Sequence, residues 1–309
     1  MESGTAAAGG GYLVLLYYKY TEIGDPSAYV DRQRHWCEGL GLLGRILVAD
    51  EGINGTVSGT VAAARAYMAA LRAEPTTRGI TFKVEPSQGH VFKKLVVKRR
   101  DEIVTLGLPP GDDIDPRQLT GERLSPVAFR EVLAKGDALV LDGRNRYESA
   151  LGRFAGAVCP DVNHFRDFPA WIQEHLRGQE DRPIVTYCTG GIRCEKLTGY
   201  LLREGFTKVA QLDGGIVSYG QDPETRGDGF DGRCYVFDGR VATDVNRTPS
   251  AGVLACCHRC GASDDRYVNC AVPQCNAQIF LCGACEAEAG RFCGDGTCAG
   301  EGMARSERR

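Results

Sequence analysis

One stretch limits the folds open to this chain more than any other: Pro183-Ile-Val-Thr-Tyr-Cys188-Thr-Gly-Gly-Ile-Arg193-Cys194, followed by Glu195-Lys-Leu-Thr-Gly-Tyr-Leu-Leu-Arg203. Ile184, Val185 and Tyr187 read as a short buried strand, and Leu197, Tyr200 and Leu201 as one apolar stripe of a helix. The loop between them, Thr189, Gly190, Gly191 and Ile192, opens after a cysteine and closes on an arginine. Glycines let backbone N–H groups turn inward, and such a nest at a helix N-terminus is an anion site. A sulfur held there feels the helix dipole and the Arg193 charge, and both favour thiolate over thiol. Strand-to-helix turns are also where α/β folds place their sites. Cys188 is therefore expected to be a nucleophile rather than an inert core thiol.

The flanking sequence repeats the alternation of strand and helix. Ala138-Leu-Val-Leu-Asp142 predicts a buried strand, His164 to Arg177 a helix, and Lys208-Val-Ala-Gln-Leu-Asp213 another strand. Ser125 and Pro126 predict a helix over Val127 to Lys135, with Ser125 as N-cap and proline at the first helical position. Such alternation implies a doubly wound parallel sheet. Four residues separate Cys188 from Arg193, and this six-residue ring resembles the active-site loop of the rhodanese superfamily. The related cysteine phosphatases carry one residue more, so the resemblance argues for sulfur or a small oxidised species, and against phosphate. Asp142-Gly-Arg144-Asn-Arg-Tyr-Glu148 with Gly152-Arg-Phe-Ala-Gly156-Ala157 looks like the first signature of that superfamily, and Leu212-Asp213-Gly214-Gly215-Ile216 like the last. Arg153 departs from the pattern, since many rhodaneses have histidine there, at a position that is usually structural. Asp142, Arg144 and Glu148 are expected to form a buried ion-pair network that supports the loop rather than to act on substrate.

Upstream, residues 11–108 read as a separate small unit. Tyr12 to Tyr18 and Gly44 to Ala49 are strand-like, Ala28 to Leu40 and Val61 to Leu71 helical, and Ile80 to Val84 and Leu95 to Val97 further strands. Four strands and two helices in a unit of this size predict a ferredoxin-like βαββαβ sandwich. Ala49-Asp-Glu51-Gly52-Ile-Asn54-Gly55-Thr56 is expected as a turn, either a plain hairpin or a functional loop whose side chains hydrogen-bond. Phe92-Lys93-Lys94-Leu-Val-Val-Lys98-Arg99-Arg100 sets five basic residues about a short apolar core. It could hold phosphates while Phe92 stacks on a base. The residues alone favour a charge-protected, solvated edge strand. Leu108 to Leu124, rich in proline, glycine and acid, reads as a linker over 109–124.

Of the fourteen cysteines in 309 residues, nine lie between Cys256 and Cys298. Cys257 and Cys260, Cys270 and Cys275, Cys282 and Cys285, and Cys293 and Cys298 are four close pairs. They suit two tetrahedral thiolate sites, with His258 an alternative ligand and Cys256 left over. The loops between are too polar to fold without a staple, so residues 223–300 are expected to be a structural zinc module, with 301–309 a tail. Disulfides would be the alternative in an oxidising compartment. Residues 1–10 lack the charged and apolar regions of a secretory signal and are expected to be a disordered leader. No apolar run approaches the roughly 20 residues of a membrane span. Those features, with a net charge of −3, predict a cytoplasmic protein and exclude a globally basic nucleic-acid binder, though not a local basic face.

The three parts in this order resemble one family, the rhodanese-type tRNA uridine hydroxylases. Its marks are Glu51-Gly-Ile-Asn-Gly-Thr56, Phe92-Lys-Lys-Leu, Glu102-Ile-Val-Thr-Leu-Gly107, Cys188 to Lys196, Val236-Phe-Asp238, and Asn269-Cys270 with Cys275-Asn276. The resemblance implies oxygen-dependent hydroxylation at C5 of the wobble uridine, an essential Cys188, and an N-terminal unit that helps hold tRNA. Lys93, Lys94, Lys98, Arg99 and Arg100 then become phosphate contacts, with Asn54 beside them. Cys194 is either the partner that resolves an oxidised Cys188 or a small capping residue. Nothing marks a flavin, haem or non-haem iron site, and no stable protein partner is inferred. The alternatives are a sulfurtransferase carrying a Cys188 persulfide and an adaptor whose rhodanese domain is inactive.

Overall fold

In the computed structural model, which describes residues 11–109, 111–275 and 277–294, the chain opens with β1 (Tyr12–Tyr20). Period-2 alternation sends Leu15 and Tyr17 into a core and leaves Leu16 and Tyr18 on the opposite face. Helix α1 (Pro26–Gly39) starts where the Asp25 carboxylate accepts from the N–H groups of Ser27 and Ala28, both at 3.0 Å. Strands β2 (Leu43–Ala49) and β3 (Gly52–Thr60), helix α2 (Val61–Ala73), and strands β4 (Phe82–Ser87) and β5 (Leu95–Arg99) follow. The sheet order is β4-β1-β3-β2-β5, antiparallel except for β5 beside β2. The first four strands and two helices are the expected ferredoxin-like βαββαβ sandwich, and β5 is an added edge strand.

The stretch expected as a turn from Ala49 to Thr56 turns only at Asp50 and Glu51, and from Gly52 it is already β3. Its glycines serve packing: a Cβ on Gly55 would strike the Tyr17 ring. Helices α1 and α2 cover one face of the sheet through Tyr29, Val30, Tyr67 and Leu71. Cross-strand register puts Leu16, Tyr18, Arg45, Leu47, Asn54 and Thr56 together on the other face, which these two helices leave uncovered.

The middle unit contains β6 (Glu122–Leu124), α3 (Pro126–Lys135), β7 (Leu139–Asp142), α4 (Arg146–Leu151), β8 (Gly152–Phe154), α5 (Phe168–His175), β9 (Ile184–Tyr187), α6 (Ile192–Arg203), β10 (Val209–Leu212) and α7 (Gly215–Gln221). The strands β6-β10-β9-β7 form a parallel sheet. Leu139 and Leu141 face a core with Phe168, Ile172, Leu197 and Leu201, while Val140 faces another with Phe129, Ile216 and Tyr219. Helices thus cover both faces, as a doubly wound sheet requires. Ser125 Oγ accepts from the N–H of Ala128 at 3.2 Å and caps α3 as expected. The helix expected from His164 is shorter, because Phe165–Asp167 form a 3-10 turn ahead of α5. The stretch read as a linker is built into this unit: β6 is the edge strand, and Ile114 is buried in the core beside α5 and α6.

Strands β11 (Phe230–Tyr235) and β12 (Ala242–Asp244) extend from β8. Strands β13 (Tyr267–Asn269) and β14 (Gln278–Phe280) and helix α8 (Gly283–Ala289) carry the cysteine pairs. Among the described residues no helix is long and apolar enough to cross a membrane. The expected leader at 1–10 and tail at 301–309 lie outside the described residues.

Candidate active site

Strand β9 ends at Tyr187 and α6 begins at Ile192, so Cys188 to Gly191 are the turn between them. Gly191 has φ of 97°, open to glycine, and that twist aims its N–H at Cys188 Sγ, 3.2 Å away. From behind, α7 holds the loop: Ile216 N donates to Cys188 O at 2.9 Å and Val217 N to Thr189 O at 3.1 Å. Gly215 permits this approach, since a Cβ there would lie 2.5 Å from Cys188 O. Burial alone would raise the Cys188 pKa. The hydrogen bond from the Cys194 thiol, the Arg193 charge and the backbone N–H groups of Cys194 and Arg193 outweigh it, and the thiol is held well below its ordinary value. Cys194 is pushed the other way, by its own burial and by the hydrogen bond and charge of Cys188.

Arg193 is itself fixed. It donates to both oxygens of the buried Glu148, at 2.7 and 2.8 Å, and to Thr189 Oγ1 at 3.3 Å. Asp142 and Arg144 form a second buried pair at 2.6 Å, with Tyr187 donating its hydroxyl to Asp142 at 2.7 Å. These pairs lie behind and beside the ring, the supporting network expected from sequence.

The mouth of the ring is closed by the helix-free face of the N-terminal sheet. A cleft of about 380 Å³ lies between them, lined by Cys188, Thr189, Gly190, Ile192 and Arg193 on one side and by Leu16, Tyr18, Arg45, Asn54, Thr56 and Arg100 on the other. That volume is within the roughly 300–1,000 Å³ of small-molecule sites. Tyr18 donates to Glu195 at 3.0 Å and Tyr20 to Ile192 O at 3.2 Å, joining β1 to the start of α6. Lys196, fully buried, reaches Glu51 at 2.7 Å, Glu102 at 2.7 Å and Asp113 at 2.9 Å.

Of the basic residues picked from the sequence, Arg100 lines the cleft and Lys98 pairs with Leu47, which also lines it. Arg99 turns away toward Ser27 and Asp50, and Lys93 and Lys94 are exposed outside the cleft lining. Asn54 lines the cleft and donates to Ile103 O at 3.1 Å.

Cys257, Cys260, Cys282 and Cys285 bring their sulfurs within 4.8 Å of one another, and Cys270, Cys275 and Cys293 form a second such group. Cys298, expected as the fourth ligand there, lies outside the described residues. The Cys260–Cys282 and Cys275–Cys293 sulfurs are each 3.7 Å apart. A tetrahedral ion with metal–sulfur bonds of about 2.3 Å sets its ligands about 3.8 Å apart. Both groups therefore fit a metal ion, and the pairs interleave along the chain. His258 stands outside the first group, with its ring Nδ1 3.3 Å from Phe280 O.

Family models divide the chain into the same three parts. The UPF0176 acylphosphatase-like domain matches residues 12–103, a rhodanese-like domain 125–222, and a rhodanase C-terminal domain 231–299. The tRNA uridine(34) hydroxylase of Staphylococcus saprophyticus is 53% identical over 270 residues, covering 87% of this chain and 84% of its own. This chain belongs to the tRNA uridine(34) hydroxylase family. The Bacillus licheniformis tRNA uridine(34) hydroxylase is 50% identical over 269 residues, covering 87% and 83%. Among solved structures, the rhodanese-like domain of an Anabaena sp. protein covers 43% of this chain and 87% of its own at 20% identity, with a TM-score of 0.31.

In this uridine(34) hydroxylase family member, sequence reasoning overlooked Lys83. It projects from β4 beside the loop, is 8% exposed, and lies 5.2 Å from the Tyr18 ring with no hydrogen-bond or ion-pair partner among the described residues. Burial lowers its pKa, and the negative charges of Cys188, Asp213 and Glu195 oppose that. Its only sequence signal was a charge in the middle of the apolar run Ile80-Thr-Phe-Lys-Val.

Proposed function

We propose that this protein hydroxylates C5 of uridine 34 in tRNA, with Cys188 as nucleophile and molecular oxygen as co-substrate. The observation that carries the reading is the enclosure of the Cys188 loop by the sheet face of a second domain, which sets Arg45, Asn54 and Arg100 beside the apolar Leu16 and Leu47, in a cleft of about 380 Å³. A base turned out of the anticodon loop fits such a pocket, since enzymes that modify a base extrude it first. Family membership supports the substrate. A sulfur carrier needs no roof over its loop, and an adaptor needs no activated thiolate.

In this reading the Cys188 thiolate bonds to C6 of the uracil, and the C5–C6 π pair moves toward C5 and the C4 carbonyl oxygen. C5 then takes a hydroxyl from a peroxide-level donor, made from molecular oxygen by a two-electron reductant so that the second oxygen atom leaves as water, and loss of the C5 proton expels the thiolate. Gly191 N–H and the Arg193 charge keep the sulfur ionised before attack. Glu148 holds Arg193, and Arg45, Asn54 and Arg100 receive the substrate from the sheet side. Lys93, Lys94, Lys98 and Arg99 are assigned to the flanking phosphates. We assign zinc to the two cysteine groups, with Cys298 completing the second, because all-thiolate tetrahedral sites suit that ion. Its role is to staple a module with little apolar core. A tRNA substrate also supports a cytoplasmic location.

The test is nucleoside mass spectrometry of total tRNA from cells lacking this protein, complemented with wild type or Cys188→Ser. Return of 5-hydroxyuridine derivatives with wild type alone is the expected result. Unchanged hydroxylation with a fall in a thiolated nucleoside would make the protein a sulfurtransferase.

A further inference from the structure

We propose that Phe237 is a stacking platform for the nucleobase next to the target uridine, an inference that rests on the tRNA reading above. Phe237 stands at the mouth of the Cys188 cleft and lines it, yet is 55% exposed, the one aromatic among the exposed large apolar side chains described. The ring packs against Tyr235 alone among the described aromatic rings, edge to face with centroids 5.1 Å apart, and that contact leaves more than half of it facing water. The turn that carries it is nevertheless firmly held. Val236 N donates to Val241 O at 2.9 Å, and Val241 N to Asp238 O at 3.0 Å. Arg240 grips Asp238 at 2.7 Å and reaches across to Glu85 of β4 at 2.6 Å. Gly239 N donates to Val91 O at 2.7 Å, and a Cβ on Gly239 would come within 2.9 Å of that oxygen. Val241 takes φ of 64°, a conformation that a β-branched residue rarely adopts.

A strained turn pinned to another domain so as to present an apolar ring to solvent points to a flat apolar ligand. Charge narrows the class. Arg45 and Arg100 line the same cleft, and its one carboxylate, Glu102, is paired with Lys196, so the ligand is anionic along its backbone and aromatic in its side groups, as single-stranded RNA is. Phe92, next to Val91, also lines the cleft. When the target base enters the pocket its neighbour loses a stacking partner, and the Phe237 ring replaces it.

The test uses the full-length protein and a synthetic anticodon stem-loop with unmodified uridine 34. Phe237→Ala and Phe237→Leu are expected to lower kcat/KM by roughly 5- to 150-fold, the loss of one base–aromatic stack, mainly through KM. Phe237→Tyr and Phe237→Trp should stay within about threefold of wild type, because they keep a ring. Melting temperature checks that each variant is folded. In Phe237→Trp the stem-loop should also quench emission beyond the change seen in wild type, which has only Trp36 and Trp171. Wild-type kinetics in Phe237→Leu, or no added quenching in Phe237→Trp, would overturn the platform. Quenching without hydroxylation by wild type would instead overturn the proposed reaction and leave the platform standing.

Discussion

Lys83 sits where a lysine costs stability. Its side chain is largely buried at the seam between β4 and the Cys188 loop, without a hydrogen bond or ion pair to the described residues. Burial disfavours that charge, and the negative groups it faces, Cys188 first among them, restore part of it. Lys83→Met should therefore leave the melting temperature unchanged or higher while making Cys188 less acidic. The measurement is the pH dependence of iodoacetamide alkylation, with Cys188→Ser as the blank. The folded-state pKa of Cys188 is depressed, so thiolate persists above that value and is lost as pH falls through it. The wild-type rate should thus hold its plateau well below the free-thiol pKa of about 8.5. In Lys83→Met the midpoint should rise by roughly one pH unit, the low end of a neighbouring charge's effect. An unmoved midpoint would show that the loop amides and Arg193 suffice. The same sign governs stability: the ionised thiol contributes fully only above about pH 8.5 and not at all below its folded value.

At the scale of elements, Lys196 gathers three segments that composition alone would keep apart. Glu51 closes the β2–β3 turn, Glu102 and Asp113 lie in loop between β5 and β6, and Lys196 stands on the first turns of α6. Removing a buried cation leaves its carboxylates uncompensated. Lys196→Met should cost about 3–5 kcal/mol in urea unfolding, the range for breaking one side of a buried pair; a loss below about 1 kcal/mol would mean that solvent already screens the cluster. The residues of this cluster were legible as separate motifs, but their meeting was not. A single sequence shows no contact between positions so distant. The acidic, proline-rich stretch from 109 to 124 looked like a linker because its few apolar residues have no period, yet Ile114 is buried in one core and Leu124 packs against the other. Strand β3 was hidden for a related reason. Gly52, Gly55 and Gly59 carry no strand propensity, and their purpose appears only in the packed sheet, where a Cβ on them would strike the Lys19 carbonyl, the Tyr17 ring and Leu42 respectively. Where local chemistry sufficed, as with Ser125-Pro126 or the Cys188 turn, the reading needed no tertiary knowledge.

The whole molecule closes on the cleft from three sides. Lys196 and Tyr18 join the N-terminal sheet to α6, Arg240 joins the segment after β11 back to β4, and β11 pairs with β8. The cysteine groups lie outside this ring of contacts, and their apolar support is small: Leu281 is buried beside one group with Val268 and Ile279 half-buried, and Val272 beside the other with Ala277 and Phe292 half-buried. So little buried apolar surface is a weak offset to the chain entropy of ordering this module, and the zinc proposed above would supply the difference. Phe230 and Cys234 of β11, by contrast, belong to the core of the parallel-sheet unit. Chelation at neutral pH should therefore unfold the cysteine module alone. Elemental analysis should find two metal equivalents per chain before treatment, and Cys257→Ser should lack one of them. Calorimetry should show an added transition at low temperature after chelation, with the main one in place, and Cys188 alkylation should keep its rate. Fewer than one metal per chain in the wild type would remove the staple. Loss of the main transition on chelation would show instead that the metal module carries the stability of the catalytic cleft.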